Sequence, residues 1–203
     1  YRRLRAAGAM AEKMGAQLMG LGAFTKGGGD AGVTVARRAT LPITTGNSYS
    51  ASGALWAAAD AMKRMGLVPV PPKGQRIAAK TMVIGASGSI GSVSARLLAM
   101  AFDEVVIAGR DMKKLEELKK SILEDTPDAK VTCSIDYDDL LADMDMIVTS
   151  TSGAGKKILD ITKVKPGCVI TDVARPLDLP PDQVAKRPDV LVVESGEIEL
   201  PTK

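Results

Sequence analysis

Between residues 80 and 195 one kind of segment keeps returning: a short run of apolar, largely β-branched residues. The runs are KTMVIG (80–85), EVVIAG (104–109), AKVTCS (129–134), DMIVTS (145–150), GCVITDVA (167–174) and DVLVVES (189–195). Helical patterns separate the earlier ones, at about 90–101, over the charged amphipathic stretch 111–124 and in a short segment around 136–142. Strands that alternate with helices run parallel, because each crossover returns the chain to the same end of the sheet. The pattern therefore predicts an α/β fold: a doubly wound, Rossmann-type parallel sheet wrapped by helices.

The amino-terminal third is organised differently. A loose helical spacing of Leu4, Met10 and Met14 predicts a helix over 1–16. QLMGLGAF (17–24) reads as a buried strand that ends in the loop TKGGGDAG. VTVARRA (33–39) fits helix or strand equally, and LPITTGN (41–47) reads as a short strand entering a turn. Asn47 or Ser48 then caps a long alanine-rich helix that closes on Lys63, Arg64 and Gly66. Three prolines and a glycine in LVPVPPKGQ (67–75) mark the boundary. The expected division is part of a smaller α/β substrate domain at 1–66, a linker at 67–75, and a nucleotide-binding domain at 76–203. A chain that opens on Tyr1 rather than methionine is expected to be part of something longer.

The first apolar run meets Gly85-Ala86-Ser87-Gly88-Ser89-Ile90-Gly91 and then a helix, the setting a dinucleotide-binding turn requires. Gly85 would allow the turn, Gly88 would let the backbone approach a pyrophosphate, and Gly91 would let helix and strand pack closely. Amides of Ser87, Gly88, Ser89 and Ile90 would then face phosphate oxygens at the positive end of the helix. The alternative is a plain strand-to-helix turn. At the end of the second run stands Arg110, with no carboxylate where an NAD-selective site would place one. A guanidinium there suits a 2′-phosphate, which favours NADP. Lys113 and Lys114 add positive field or form a solvated helix face.

Two later strand ends border the same edge. Ser150 and Thr151, in TSTSG (149–153), would flank the nicotinamide or form a serine/threonine turn. Asp172 would contact coenzyme or substrate, or cap the following segment.

The 203 residues contain no histidine, which removes serine–histidine pairs and histidine metal sites, and no metal centre is expected. Cys133 and Cys168 stand far apart in apolar runs, without zinc spacing. They read as core residues and fit a reducing cytoplasm. A net charge of +3 with mixed signs and an aromatic content of 3% argue against a nucleic-acid surface. No apolar run approaches the roughly 18 residues of a membrane span.

LGAFTK (21–26) followed by TTGNSYSA (44–51), and VIGASGSIGS (83–92) followed by IAGRDMKKLEEL (107–118), together resemble the long-chain acyl-[acyl carrier protein] reductases. The coenzyme domain also looks like that of shikimate dehydrogenases and glutamyl-tRNA reductases. The first resemblance implies NADPH-dependent reduction of an acyl thioester to an aldehyde, with an acyl carrier protein as a partner. In that family the thioester forms on a cysteine beyond the coenzyme domain, a position this sequence does not contain. Thr44, Thr45, Gly46 and Asn47 match the TTGN segment; Thr45 and Asn47 would act on the carbonyl or the nicotinamide, or Asn47 would merely cap the helix. The alternatives are a shikimate-type alcohol/ketone dehydrogenase, with Lys26 and Asp30 as candidate groups, and a non-catalytic NADPH-binding module. The substrate is a small molecule or acyl thioester, and a homo-oligomer is open.

Overall fold

A computed structural model describes residues 2–22, 32–69, 71–72, 74–153 and 157–195. The chain divides into two compact units, Tyr1–Tyr49 and Ser50–Lys203.

The first unit holds helix α1 (Arg2–Lys13), strand β1 (Met19–Leu21), helix α2 (Val33–Arg38) and strand β2 (Ile43–Thr45). β1 and β2 pair in parallel, with Met19 opposite Ile43 and Leu21 opposite Thr45. The strand expected over 17–24 is shorter and less enclosed than its apolar sequence predicts. Among the described residues of this run only Leu21 is buried, and Leu18 is exposed, because a two-stranded sheet covers few side chains. Residues 23 and 24 lie outside the described residues, as do Lys26 and Asp30. VTVARRA resolves as helix. The Thr40 hydroxyl donates to the Glu12 carboxylate at 2.5 Å and ties the end of α1 to the segment after α2.

Helix α3 (Asn47–Arg64) takes Asn47 and Ser48, the expected caps, as its first helical residues, and leads into the second unit. There follow β3 (Ile77–Ile84), α4 (Ser89–Ala101), β4 (Phe102–Ala108), α5 (Met112–Asp125), β5 (Lys130–Ser134), a 3-10 turn (Asp138–Asp143), β6 (Met146–Thr149), a second 3-10 turn (Ile161–Lys163), β7 (Val169–Asp172), α6 (Pro181–Val184) and β8 (Leu191–Glu194). The segment expected as a short helix near 136–142 is thus 3-10. The six strands lie in the order β5-β4-β3-β6-β7-β8, all parallel. This confirms the doubly wound α/β sheet.

Successive side chains on a strand face opposite ways, and here each set has its own core. Val83, Val105, Met146, Val148 and Val169 pack with Leu98 of α4, Leu115 and Ile122 of α5, and Leu55, Ala58 and Met62 of α3. Met82, Ile84, Ile147 and Ile170 face the other layer with Leu141, Ile161, Val164 and Leu179. Burial on both faces is why the strands read as continuous apolar runs. β3 starts at Ile77, earlier than its apolar run, because Ile77 pairs with Phe102 at the head of β4. Beside it the Arg76 guanidinium donates to the Asp128 carbonyl at 3.0 Å and carboxylate at 2.9 Å. Among the described residues, no helix is long and apolar enough to cross a membrane.

Candidate functional site

The sheet order places β3 between β4 and β6, so the chain winds first one way and then the other from β3. In such sheets the crevice lies outside the carboxyl ends of the strands at that reversal. The glycine turn opens there. Gly85 has φ +84°, a conformation that favours a residue without a Cβ. Its amide and that of Ala86 both donate to the Ala108 carbonyl at 3.0 Å, and the Gly88 amide donates to the Gly85 carbonyl at 3.0 Å.

Gly91 is constrained by space rather than angle. A Cβ added there would sit 2.2 Å from the Gly85 carbonyl oxygen and 2.8 Å from the Ser150 hydroxyl. A Cβ on Gly85 would lie 2.9 Å from the Ser150 carbonyl oxygen. The turn, the first coil of α4 and the end of β6 are therefore in backbone contact. Gly88 is the N-cap of α4, in extended conformation and without a side-chain capping bond. The first amides of a helix have no partner within it, so here they are open to an anion.

Ser87 lies beside the end of β4: a Cβ on Gly109 would be 3.8 Å from its hydroxyl. Next in the chain, Arg110 is exposed and makes no hydrogen bond or ion pair among the described residues. Lys114 differs. Its ammonium lies 3.9 Å from Asp111, and its amide donates to the same carboxylate, which caps α5. Gly85, Ser87, Gly88, Ser89, Ile90, Gly91 and Arg110 thus share one rim.

On the other side of β3, the Ser150 amide and hydroxyl both donate to the Ile84 carbonyl, at 3.0 and 3.3 Å. Thr151 donates to Asp178 twice, from its amide at 2.9 Å and its hydroxyl at 2.5 Å. Asp172 is 1% exposed, and its two carboxylate oxygens accept from the amides of Ala174 (3.0 Å) and Leu179 (2.9 Å). Of the roles open to Asp172, the structure contains the capping one. Burial pushes this carboxyl above the usual range, and the two amides pull against it.

Thr45 and Asn47 lie in the first unit, Thr45 at the end of β2 and Asn47 at the start of α3. Cys168 is fully buried, and its thiol is pushed up to about 12, chiefly by burial. Burial and the neighbouring Glu116 hold Cys133 at about 11. Neither is a thiolate near neutral pH.

Residues 73–198 match the family described as Shikimate / quinate 5-dehydrogenase. The chain belongs to the shikimate/quinate 5-dehydrogenase family. Over 182 residues, 90% of the chain, it is also 31% identical to the aminotransferase PigE of Serratia sp. (strain ATCC 39006), and it spans only 20% of that protein's length. Two solved structures share its architecture. One is the ligand-free 5-ketofructose reductase of Gluconobacter sp. strain CHM43, with 20% identity, a TM-score of 0.52, and coverage of 76% of this chain and 53% of that one. The other is the quinate dehydrogenase of Corynebacterium glutamicum in complex with NAD, with 18% identity, a TM-score of 0.51, and coverage of 70% and 50%. At these identities the likeness shows the fold alone. The match agrees with the resemblance of the coenzyme domain to shikimate dehydrogenases; it reaches neither the choice of NADP nor the acyl reductase assignment.

Proposed function

We propose that this shikimate/quinate-type chain binds NADPH at the carboxyl edge of its sheet and serves reversible exchange between an alcohol and a ketone. The observation that carries the coenzyme choice is the exposed Arg110, unpaired among the described residues and one residue beyond Gly109, where an added Cβ would lie 3.8 Å from the Ser87 hydroxyl of the glycine turn. The fit rests on space as well: Gly85 and Gly91 leave no room for side chains between turn, helix and β6.

In this reading the amides of Ser87, Ser89 and Ile90 hold the diphosphate while that of Gly88 stays on the Gly85 carbonyl, and Arg110 pairs with the 2′-phosphate. Ser150 and Thr151 border the nicotinamide half, while Asp172 braces the loop beyond β7. When bound, the nicotinamide supplies or accepts the hydride.

A second reading draws on one observation, the match to a fifth of a protein named as an aminotransferase. Aminotransferases take carbonyl compounds as amino acceptors. Reduction of an acyl thioester yields an aldehyde and a free thiol, so the two activities chain together chemically. The raised thiols of Cys133 and Cys168 supply no nucleophile for a covalent version.

Fluorescence titration with NADPH and NADH tests the coenzyme. Tighter binding of NADPH is expected. In Arg110→Ala, NADPH should weaken by roughly ten- to a hundredfold through loss of a charge-assisted contact, with NADH nearly unchanged. Equal loss for both coenzymes would contradict the assignment. Incubation of shikimate or quinate with NADP+, against an acyl-coenzyme A with NADPH, then separates the two substrate readings by product: a ketone in the first, an aldehyde and free thiol in the second.

A further inference from the structure

The loops after β6 and β7 are joined by one buried carboxylate that no sequence motif announces. Asp178 is 7% exposed, yet both of its oxygens are used, one by the Thr151 amide at 2.9 Å and one by the Thr151 hydroxyl at 2.5 Å. That hydroxyl also accepts from the Gly153 amide at 3.1 Å. Gly153 is itself enclosed, since a Cβ there would fall 2.7 Å from Ile158. On the far side, Asp172 holds both ends of the loop that carries Asp178, through Ala174 and Leu179. On the near side, Ser150 fills the space that Gly85 and Gly91 leave free. The ends of β3, β6 and β7 are thereby connected through one series of short polar and backbone contacts.

We propose that Asp178 is a positioning residue for the nicotinamide half of the coenzyme, acting through Thr151; the inference rests on the coenzyme reading given above. A dinucleotide lies across the crevice at the strand reversal, with its diphosphate over the first turn. Arg110 marks the β4 side as the adenosine end. The nicotinamide half is then directed over the ends of β6 and β7, where residues 150–153 form the floor. A carboxylate accepts two donors from Thr151 without rearrangement, so the floor keeps one shape before any ligand arrives. A floor free to move would be ordered at the expense of affinity. That cost would fall on the nicotinamide half and leave the adenosine half untouched.

The test uses the 203-residue chain with Asp178→Asn, Thr151→Val and Thr151→Ser. Each variant is titrated with NADPH and with adenosine 2′,5′-bisphosphate, which carries only the adenosine end. Asp178→Asn places an amide group against a Thr151 donor, and Thr151→Val removes the hydroxyl. Each should weaken NADPH about tenfold and change adenosine 2′,5′-bisphosphate by less than about twofold, with Thr151→Ser restoring wild-type binding. Hydrogen exchange on the free chain supplies a readout without ligand: in Asp178→Asn the Thr151 and Gly153 amides should exchange faster while the Gly85 amide does not. Unchanged NADPH affinity in Asp178→Asn, or equal weakening of both ligands, overturns the assignment of Asp178. A wild-type chain that binds neither NADPH nor NADH overturns the coenzyme reading instead.

Discussion

Gly91 is fixed by an atom that is not its own. The Gly85 carbonyl oxygen occupies the place of its missing side chain, 2.2 Å from where a Cβ would stand. Neither partner yields easily, since one is backbone and the other is the first coil of a helix packed on the sheet. Gly91→Ala should therefore push α4 away from β3. The expected cost is about 1–3 kcal/mol, the usual penalty for overfilling a packed site, read as a lower thermal midpoint. NADPH affinity should fall in the same variant, because the amides of the turn move with the helix. Gly88→Ala makes a useful contrast: its Cβ would lie 3.2 Å from the same oxygen, a contact that small adjustment relieves. A Gly91→Ala chain with unaltered midpoint and affinity would show that helix and strand are less tightly joined than the geometry states.

Helix α5 shows how an element is specified locally. Asp111 accepts the Lys114 amide at 3.3 Å, and Leu115, Leu118 and Ile122 return at helical spacing to the buried face. Asp111→Ala should cost about 1 kcal/mol, the common value of such a cap, measurable in a urea melt. Elements of this kind were legible in the sequence because pattern and packing agree. The six strands were readable for a similar reason: Val83 and Val148 are buried in one layer and their neighbours Ile84 and Ile147 in the other, so burial left an unbroken apolar record. Where the record fails, the cause lies elsewhere in the chain. The extra residues at the head of β3 pair because Phe102 stands opposite Ile77, a partner no local window contains. VTVARRA carries β-branched residues at its start and still forms α2, since propensity is a weak prior against tertiary context. In the candidate site, Gly85, Gly91 and Arg110 were recoverable from spacing. Asp178 was not. Its partner Thr151 lies 27 residues away, and an aspartate in a proline-flanked loop looks like solvated turn until the fold brings the two together.

At the scale of the molecule, helix α3 belongs to the sheet. Ala54, Leu55, Ala58 and Met62 are buried in the same layer as Val83, Ala95 and Val105, while the proline-rich stretch expected as the linker follows them. A chain cut to residues 50–203 should therefore keep its core, bind NADPH like the 203-residue chain, and melt cooperatively. A cut at residue 76 strips those side chains from the layer. With large apolar groups such as Leu55 and Met62 contributing about 1.5–3 kcal/mol each when buried, the shorter piece should lose most of its stability, visible as dye binding to exposed apolar surface. Equal midpoints for the two pieces would mean that α3 is an appendage.

The parallel direction of all six strands has a consequence for how such a protein changes over time. The connections at the carboxyl rim lie beyond the last paired residues of their strands, such as Ile84, Ala108, Thr149 and Asp172. Insertions or replacements beyond Thr149 or Asp172 can thus alter what is handled at that rim while hydrogen bonding within the sheet stays as it was. One scaffold can pass through many chemistries without relearning how to fold.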